Sequence, residues 1–300
     1  MLDVAVVIVT WNVAHLIEAC LRSLYTELVN IGGQGKVWVV DNGSTDGTIA
    51  VVREKFPQAV LMVNEENVGF GRANNQGMWA ANDEVPTYYF LLNPDTVVKS
   101  GALASLIGCL ETRPKVGMVG PRLVYGDGRL QHSGFRFPGV VQLAYDLFDG
   151  PARWYETGVN GRYPRQQYES HRSPFMVETI LGAAMLLRRE VFEVTQGFDP
   201  LFHMYCEELD WCRRIAAAGW SIYVVPAAEI VHYAGESTGQ VKAQSVLNLW
   251  QSRARLYERH YDGWRWWLAR WLAERGLRRR AAAAEGEMRQ AYEIAGEAWR

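Results

Sequence analysis

Two runs of β-branched and aromatic residues, Val4 to Thr10 and Lys36 to Asp41, constrain this chain more than any other feature. Neither alternates with polar residues, so both match strands buried on two faces of a parallel sheet. Between them, from His15 to Tyr25, the positions Leu16, Ala19, Cys20, Ser23 and Leu24 recur at three- and four-residue spacing, which gives a helix one buried stripe. The unit is βαβ. The alternation continues with a helix near Thr48 to Phe56, a strand at Val60 to Asn64, a helix through Ala73 to Ala81, a strand at Tyr88 to Asn93, a helix over Ala102 to Glu111 and a strand at Val116 to Gly120. Residues 1–120 therefore read as a doubly wound, Rossmann-like half of an α/β domain.

The pattern then changes. Residues 121–178 scatter Gly, Pro, Tyr and Arg without a sustained period and read as loops and short strands. Regular structure resumes at Thr179 to Leu187, a helix runs from Glu207 to Ala218 and stops at Gly219, Ser221 to Val225 is strand-like, and the chain is helical from Gln244 onward. At 300 residues and 49% hydrophobic content, there is enough apolar material for one large core and a smaller appendage. A formal net charge of −2 offers no field for a polyanion, so no nucleic-acid partner is expected. Cys20, Cys109, Cys206 and Cys212 have neither metal-site nor disulfide-scaffold spacing and read as reduced core residues. No signal peptide is evident and no segment reaches the roughly 20 apolar residues of a membrane span, so the expected location is cytoplasmic, soluble or peripheral at the inner face of the membrane.

In an open parallel sheet, ligands bind beyond the carboxyl ends of the strands. Here those ends carry Thr10-Trp11-Asn12, Asp41-Asn42-Gly43-Ser44-Thr45-Asp46-Gly47, Asn67-Val68-Gly69-Phe70 and Asn93-Pro94-Asp95, a polar pocket suited to a nucleotide. Neither a GxGxxG fingerprint nor a P-loop is present, so phosphates must be held in another way. Asp95 supplies one, because a carboxylate at a strand end can bind Mg²⁺ or Mn²⁺ that bridges to diphosphate oxygens. Read alone, Pro94-Asp95-Thr96 is also an ordinary turn, and Asp41 to Gly47 an ordinary turn and helix cap. His232, paired with Asp95, would make a mixed oxygen and nitrogen metal site. The acidic cluster Glu207, Glu208 and Asp210 opens a helix, where carboxylates favour the macrodipole and Asp210 to Arg214 is an i,i+4 pair. An aromatic wall just upstream, Phe198 to Tyr205, equally suits a carboxylate with a raised pKa acting as a base.

Taken in order, these pieces resemble the inverting family 2 glycosyltransferases of the GT-A fold, in particular their bacterial rhamnosyltransferase-like branch. The likeness runs through Val7 to Asn12, Val40 to Gly47, Asn67 to Gly71 with Asn74-Asn75, Leu91 to Asp95, Gly182 to Met185, Gly197 to Asp199, Tyr205 to Arg213 and His232 to Ser237. It implies an α/β, Rossmann-like and mostly parallel sheet flanked by helices. It also implies a catalytic domain over 1–238, with a nucleotide-binding half at 1–120 and an acceptor-binding, catalytic half at 121–238, followed by a helical extension at 239–300. By the same resemblance, Thr10, Asn12, Asp41 and Asn42 lie near the base and ribose of a UDP- or dTDP-linked sugar, and Asn67, Gly69 and Arg72 near the donor. Asn93 touches ribose or metal, Asp95 and His232 hold a divalent metal, Mg²⁺ or Mn²⁺, and Gly182 and Ala183 let the sugar lie against the backbone. The family opens its catalytic helix with Glu-Asp-x-Asp and uses the second residue as base. Here that residue is Glu208, one methylene longer, with Glu207 and Asp210 orienting the helix or binding acceptor hydroxyls. The implied reaction moves a sugar with inversion onto a glycan, lipid-linked or other hydroxyl acceptor in cell-envelope or extracellular polysaccharide synthesis. A nucleotidyltransferase and a non-catalytic nucleotide-sugar-binding protein stand as alternatives.

The extension is rich in Trp and Arg, with Trp264, Trp267, Leu268, Trp271 and Leu272 on one helical face. Either that face lies in a membrane interface beside a lipid-linked acceptor, or it packs on the catalytic domain or a homodimer partner.

Overall fold

The computed structural model describes residues 3–32, 35–234 and 242–300. In chain order the elements are β1 (Val4–Thr10), α1 (Ala14–Asn30), β2 (Gly35–Asp41), α2 (Thr48–Lys55), β3 (Val60–Val63), α3 (Phe70–Asn82), β4 (Tyr88–Leu92), β5 (Thr96–Val98), α4 (Ala102–Thr112) and β6 (Val116–Val124). There follow β7 (Leu130–Gln131), β8 (Gly134–Phe135), α5 (Val140–Phe148), β9 (Phe175–Val177), β10 (Thr179–Ile180), β11 (Ala184–Arg188), α6 (Arg189–Thr195), α7 (Glu207–Ala217), β12 (Ser221–His232), α8 (Lys242–His260), α9 (Gly263–Ala283) and α10 (Gly286–Glu297).

The main sheet has the order β3-β2-β1-β4-β11-β6-β12-β5. Strands β3, β2, β1 and β4 are mutually parallel, which is the doubly wound half expected from the sequence. Strand β11 then inserts antiparallel between β4 and β6, so the sheet is mixed where unbroken α/β alternation predicts parallel pairing. Alternate side chains of β1 serve opposite faces. Val4, Val6 and Ile8 join the core under α1 and α4, while Ala5 and Val7 join the core under α3 and α7. Burial on both faces explains why the strand reads as one continuous apolar run.

Three expectations change. Residues 121–178 contain a true helix, α5, whose Leu143 and Leu147 pack with Ala273 and Leu277 of α9. Gly276 permits that approach, since a Cβ there would lie 2.7 Å from Leu147. In α9 the buried face is Ala269, Ala273, Gly276 and Leu277, and Trp264, Trp267 and Trp271 point outward. The packing reading of that tryptophan face is thus not what the single chain forms. The strand expected at Ser221 to Val225 continues through to His232. The expected boundary at 238/239, and the motif residues Gly235 to Ser237, lie outside the described residues. All four cysteines are free and buried.

Candidate active site

Strands β1 and β2 end in register, Thr10 beside Asp41, so their following loops emerge together. The Asp41 carboxylate is spent on tying them. Thr10 Oγ1 donates to Oδ2 (2.8 Å), Ser44 N to Oδ1 (2.8 Å) and Ser44 Oγ to Oδ2 (2.6 Å). Asn12, in the left-handed region at φ 53°, donates its backbone N–H to Ser44 Oγ and accepts from Thr45 N, both at 2.8 Å. Asp46 accepts from Ala14 N and Thr48 N, the first residues of α1 and α2, while the cap position of α2 itself is Gly47, which carries no side chain to bond.

Beside these loops an amide network shapes the pocket floor. Asn42 Nδ2 donates to Asn67 Oδ1 (3.2 Å) and Gly69 O (3.4 Å), while Asn64 Nδ2 donates to Asn42 Oδ1 (2.9 Å). Gly69 is required here: at φ 93°, a Cβ would sit 2.2 Å from His203 O. Asn75 grips the backbone of Phe198 through both ends of its amide, at 2.7 and 2.9 Å, holding α3 to the loop that precedes α7.

Asn93-Pro94-Asp95 occupies the three residues between β4 and β5. Asn93 N donates to Ala183 O (2.9 Å), anchoring the turn to the start of β11. Strand β5 pairs antiparallel with the end of β12, setting Thr96 opposite His232. That register carries Asp95 and His232, far apart in sequence, to within 3.4 Å (Oδ1 to Nε2). Both side chains are buried, and Asp95 Oδ1 has no hydrogen-bond partner among the described residues. His232 Nδ1 lies 2.9 Å from Gln131 Oε1. An amide oxygen only accepts, so Nδ1 carries a proton toward it, and a ring with that single proton turns the Nε2 lone pair toward Asp95. A carboxylate oxygen without a donor, facing an imidazole lone pair, fits a cation between them. Among the described residues no cluster of three His, Cys, Asp or Glu side chains could hold a metal alone. Two protein ligands would leave the remaining positions to water and substrate oxygens, as is usual for Mg²⁺ with phosphates.

Helix α7 enters through two consecutive left-handed residues, Tyr205 (φ 68°) and Cys206 (φ 65°). Neither is glycine, and each such position costs on the order of 1–3 kcal/mol, held here by the packing of Cys206 with Phe137, Phe202 and Leu256. The bend directs Glu207 and Glu208 inward. Burial pushes the Glu208 carboxyl up to about 7. Burial, reinforced by the neighbouring Glu208, raises Glu207 well above the usual carboxylate range, and its Oε2 has no hydrogen-bond partner among the described residues. Asp210 differs. Burial works to raise its pKa, but hydrogen bonds from His260 Nε2 (2.9 Å) and Arg214 Nε (2.8 Å) outweigh that and hold it below its ordinary value.

One cavity of about 260 Å³ gathers Thr10, Asn42, Asn67, Asn93, Asp95, Gly182, Ala183, Glu207, Glu208 and His232. Asn12, Asp41, Gly69, Arg72 and Asp210 do not line it. Arg72 is exposed and bonds Pro200 O at 3.2 Å. Asp210 is bonded to His260 of α8 and to Arg214, away from the cavity. Trp11, Phe70, Leu181, Met204 and Tyr205 complete the wall. Met204 and Tyr205 belong to the aromatic wall expected upstream of Glu208, and Trp11 and Phe70 stand inside the strand-end motifs without a role of their own; Leu181 had no signal. Gln131 stands outside the cavity lining and supports His232 from behind.

A family model described as glycosyltransferase-like family 2 matches residues 3–259. The N-acetylglucosaminyl-diphospho-decaprenol L-rhamnosyltransferase of Mycobacterium tuberculosis is 29% identical over 238 residues, 76% of each chain. Rhamnosyltransferase WbbL of Escherichia coli is 28% identical over 173 residues, 55% of this chain and 61% of its own. Among solved structures, the fold is similar to the mannosyltransferase PcManGT of Pyrobaculum calidifontis in complex with GDP-Man and Mn²⁺ (TM-score 0.58, 19% identity, 98% of this chain and 86% of that one). It is also similar to GalNAc-T7 with UDP, GalNAc and Mn²⁺ (TM-score 0.63, 14% identity, 98% and 54%).

Proposed function

The chain belongs to the glycosyltransferase-like family 2, with a GT-A fold, and from that premise we propose that it moves a sugar from a UDP- or dTDP-linked donor to a hydroxyl of a glycan or lipid-linked acceptor, with inversion, in cell-envelope polysaccharide synthesis. The observation that carries this reading is that an unpartnered Asp95 oxygen, the His232 Nε2 and a Glu208 carboxyl raised to about 7 line one cavity. The bacterial rhamnosyltransferase relatives support a rhamnosyl donor, and the mycobacterial one an acceptor linked to a lipid diphosphate.

In this reading Thr10 and Asn42 meet the nucleoside, and Asn67 and Asn93 meet the ribose and diphosphate side. Asp95 and His232 hold a divalent cation, Mg²⁺ or Mn²⁺, which when bound neutralises the diphosphate oxygens. Gly182 leaves the space beside Glu208 open, since its hydrogen stands where a Cβ would already meet Glu208 Cβ at 3.9 Å. The acceptor oxygen attacks the anomeric carbon, its proton passes to a Glu208 carboxylate oxygen, and the bond to the diphosphate breaks with its electron pair leaving on oxygen. Attack opposite the leaving group inverts the configuration. Glu207, protonated by its surroundings, donates a hydrogen bond to a sugar hydroxyl.

Because the base acts only when ionised, turnover should climb about tenfold per pH unit below 7 and level off above it. Glu208→Gln should lose transfer by a factor of at least about 10² while still binding donor. Transfer at the wild-type rate by that variant would remove Glu208 as the base, whereas no transfer by the wild type itself would leave the chain a nucleotide-sugar-binding role.

A further inference from the structure

Three tryptophans of α9 lie on the surface. Trp264 is 66% exposed, Trp267 65% and Trp271 42%. With Arg275 and Arg278 they recur at three- and four-residue steps, so all five share the face opposite the buried Ala269, Ala273 and Leu277. Arg265 stacks over Trp264 at 5.6 Å and Arg275 over Trp271 at 4.4 Å. At the margin of this face on α9 the carboxylate is Glu274, and it already leans on Arg278 at 3.8 Å. No helix among the described residues is long and apolar enough to cross a membrane.

We propose that this face of α9 is a docking surface for an anionic lipid bilayer, its indole rings entering the headgroup boundary and its guanidiniums meeting lipid phosphates. Charge decides between occupants. Interface cores between proteins are depleted of charged side chains, and a second copy would bring another cluster of guanidiniums to this one. Anionic headgroups answer both the tryptophans and the arginines at once, the composition of a helix lying in a membrane surface. Exposed tryptophans stacked with arginine also suit a boundary where one side is wet and the other apolar.

The placement has a consequence for the cavity. His260 bonds Asp210 at 2.9 Å, two residues after Glu208, and Trp264 follows His260 by four residues, at most about 14 Å of chain. A bilayer meeting the start of α9 would therefore lie within a few residues of chain from the far side of α7, the helix that carries Glu208. The surface itself stands apart from the donor reading.

The test floats the purified full chain with vesicles of phosphatidylcholine, with and without about one-third phosphatidylglycerol. Wild type should float with the anionic vesicles only, and less so as salt rises. Trp267→Ser with Trp271→Ser, and separately Arg275→Glu with Arg278→Glu, should each cut the bound fraction about tenfold or more, with the melting temperature and nucleotide-sugar binding unchanged. Wild type that ignores anionic vesicles, or variants that bind as well as it does, would overturn the proposal. So would a wild-type dimer that falls to monomer in the tryptophan variant, which would give the face to a second copy. Donor binding, read on the same preparations, separates failure here from failure of the glycosyltransferase reading.

Discussion

Glu207 and Glu208 are adjacent acids with different work. In the proposed reaction Glu208 must lose its proton to act, whereas Glu207 keeps its proton because burial and its neighbour penalise the charge. The folded-state pKa of Glu207 is raised above the ordinary 4.5, so its contribution to stability is complete below that value and is lost as pH rises through the raised one. Glu207→Gln has no proton to lose. Its melting temperature relative to wild type should therefore climb from pH 5 to pH 8, and a constant difference across that range would count against a buried neutral acid. Gln131 offers a second test at this scale. Removing the acceptor that fixes the His232 tautomer, as in Gln131→Leu, should weaken Mn²⁺ binding by calorimetry roughly tenfold to a hundredfold. Unchanged metal affinity would leave Gln131 a packing residue. The sequence carried Asp95, His232 and Glu208 as candidates because each stands at an element boundary beside polar neighbours. It did not tie Gln131 to His232, since a hydrogen bond across 101 positions leaves no local pattern.

Among the elements, α7 has the most demanding position. Its entry is bent by Tyr205 and Cys206, and its far side is fastened by Asp210 to His260 and Arg259 of α8 and to Arg214. Removing one partner of such a buried cluster leaves the others uncompensated, so Asp210→Asn should cost about 3–5 kcal/mol in denaturant unfolding. A loss under 1 kcal/mol would mean that the helix is held by packing alone. Elements with a strong local period were legible to within a few residues. Strands β1 and β2 read as continuous apolar runs because both faces are covered, and α1 was found by its stripe. Helix α5 was missed among glycines and prolines, although Val140, Leu143, Leu147 and Phe148 carry helical spacing. The insertion of β11 between β4 and β6 was not readable at all, since strand order is set by long-range pairing and not by period.

Across the whole molecule, the parallel half delivers Thr10, Asn42 and Asn93 to one edge, and the mixed half delivers His232, Gly182 and the start of α7 to the same cavity. The C-terminal helices close around α5 and brace α7 from behind. The account thus makes donor binding depend on a cation held by Asp95, which is its central claim. Calorimetric titration of UDP- and dTDP-sugars, with and without Mn²⁺, measures it directly. Mn²⁺ should tighten donor binding to wild type by at least about tenfold and do nothing for Asp95→Ala, while Asn93→Ala should show a reduced but present enhancement. Equal donor affinity for wild type with and without the metal, or the same enhancement in Asp95→Ala, would contradict it.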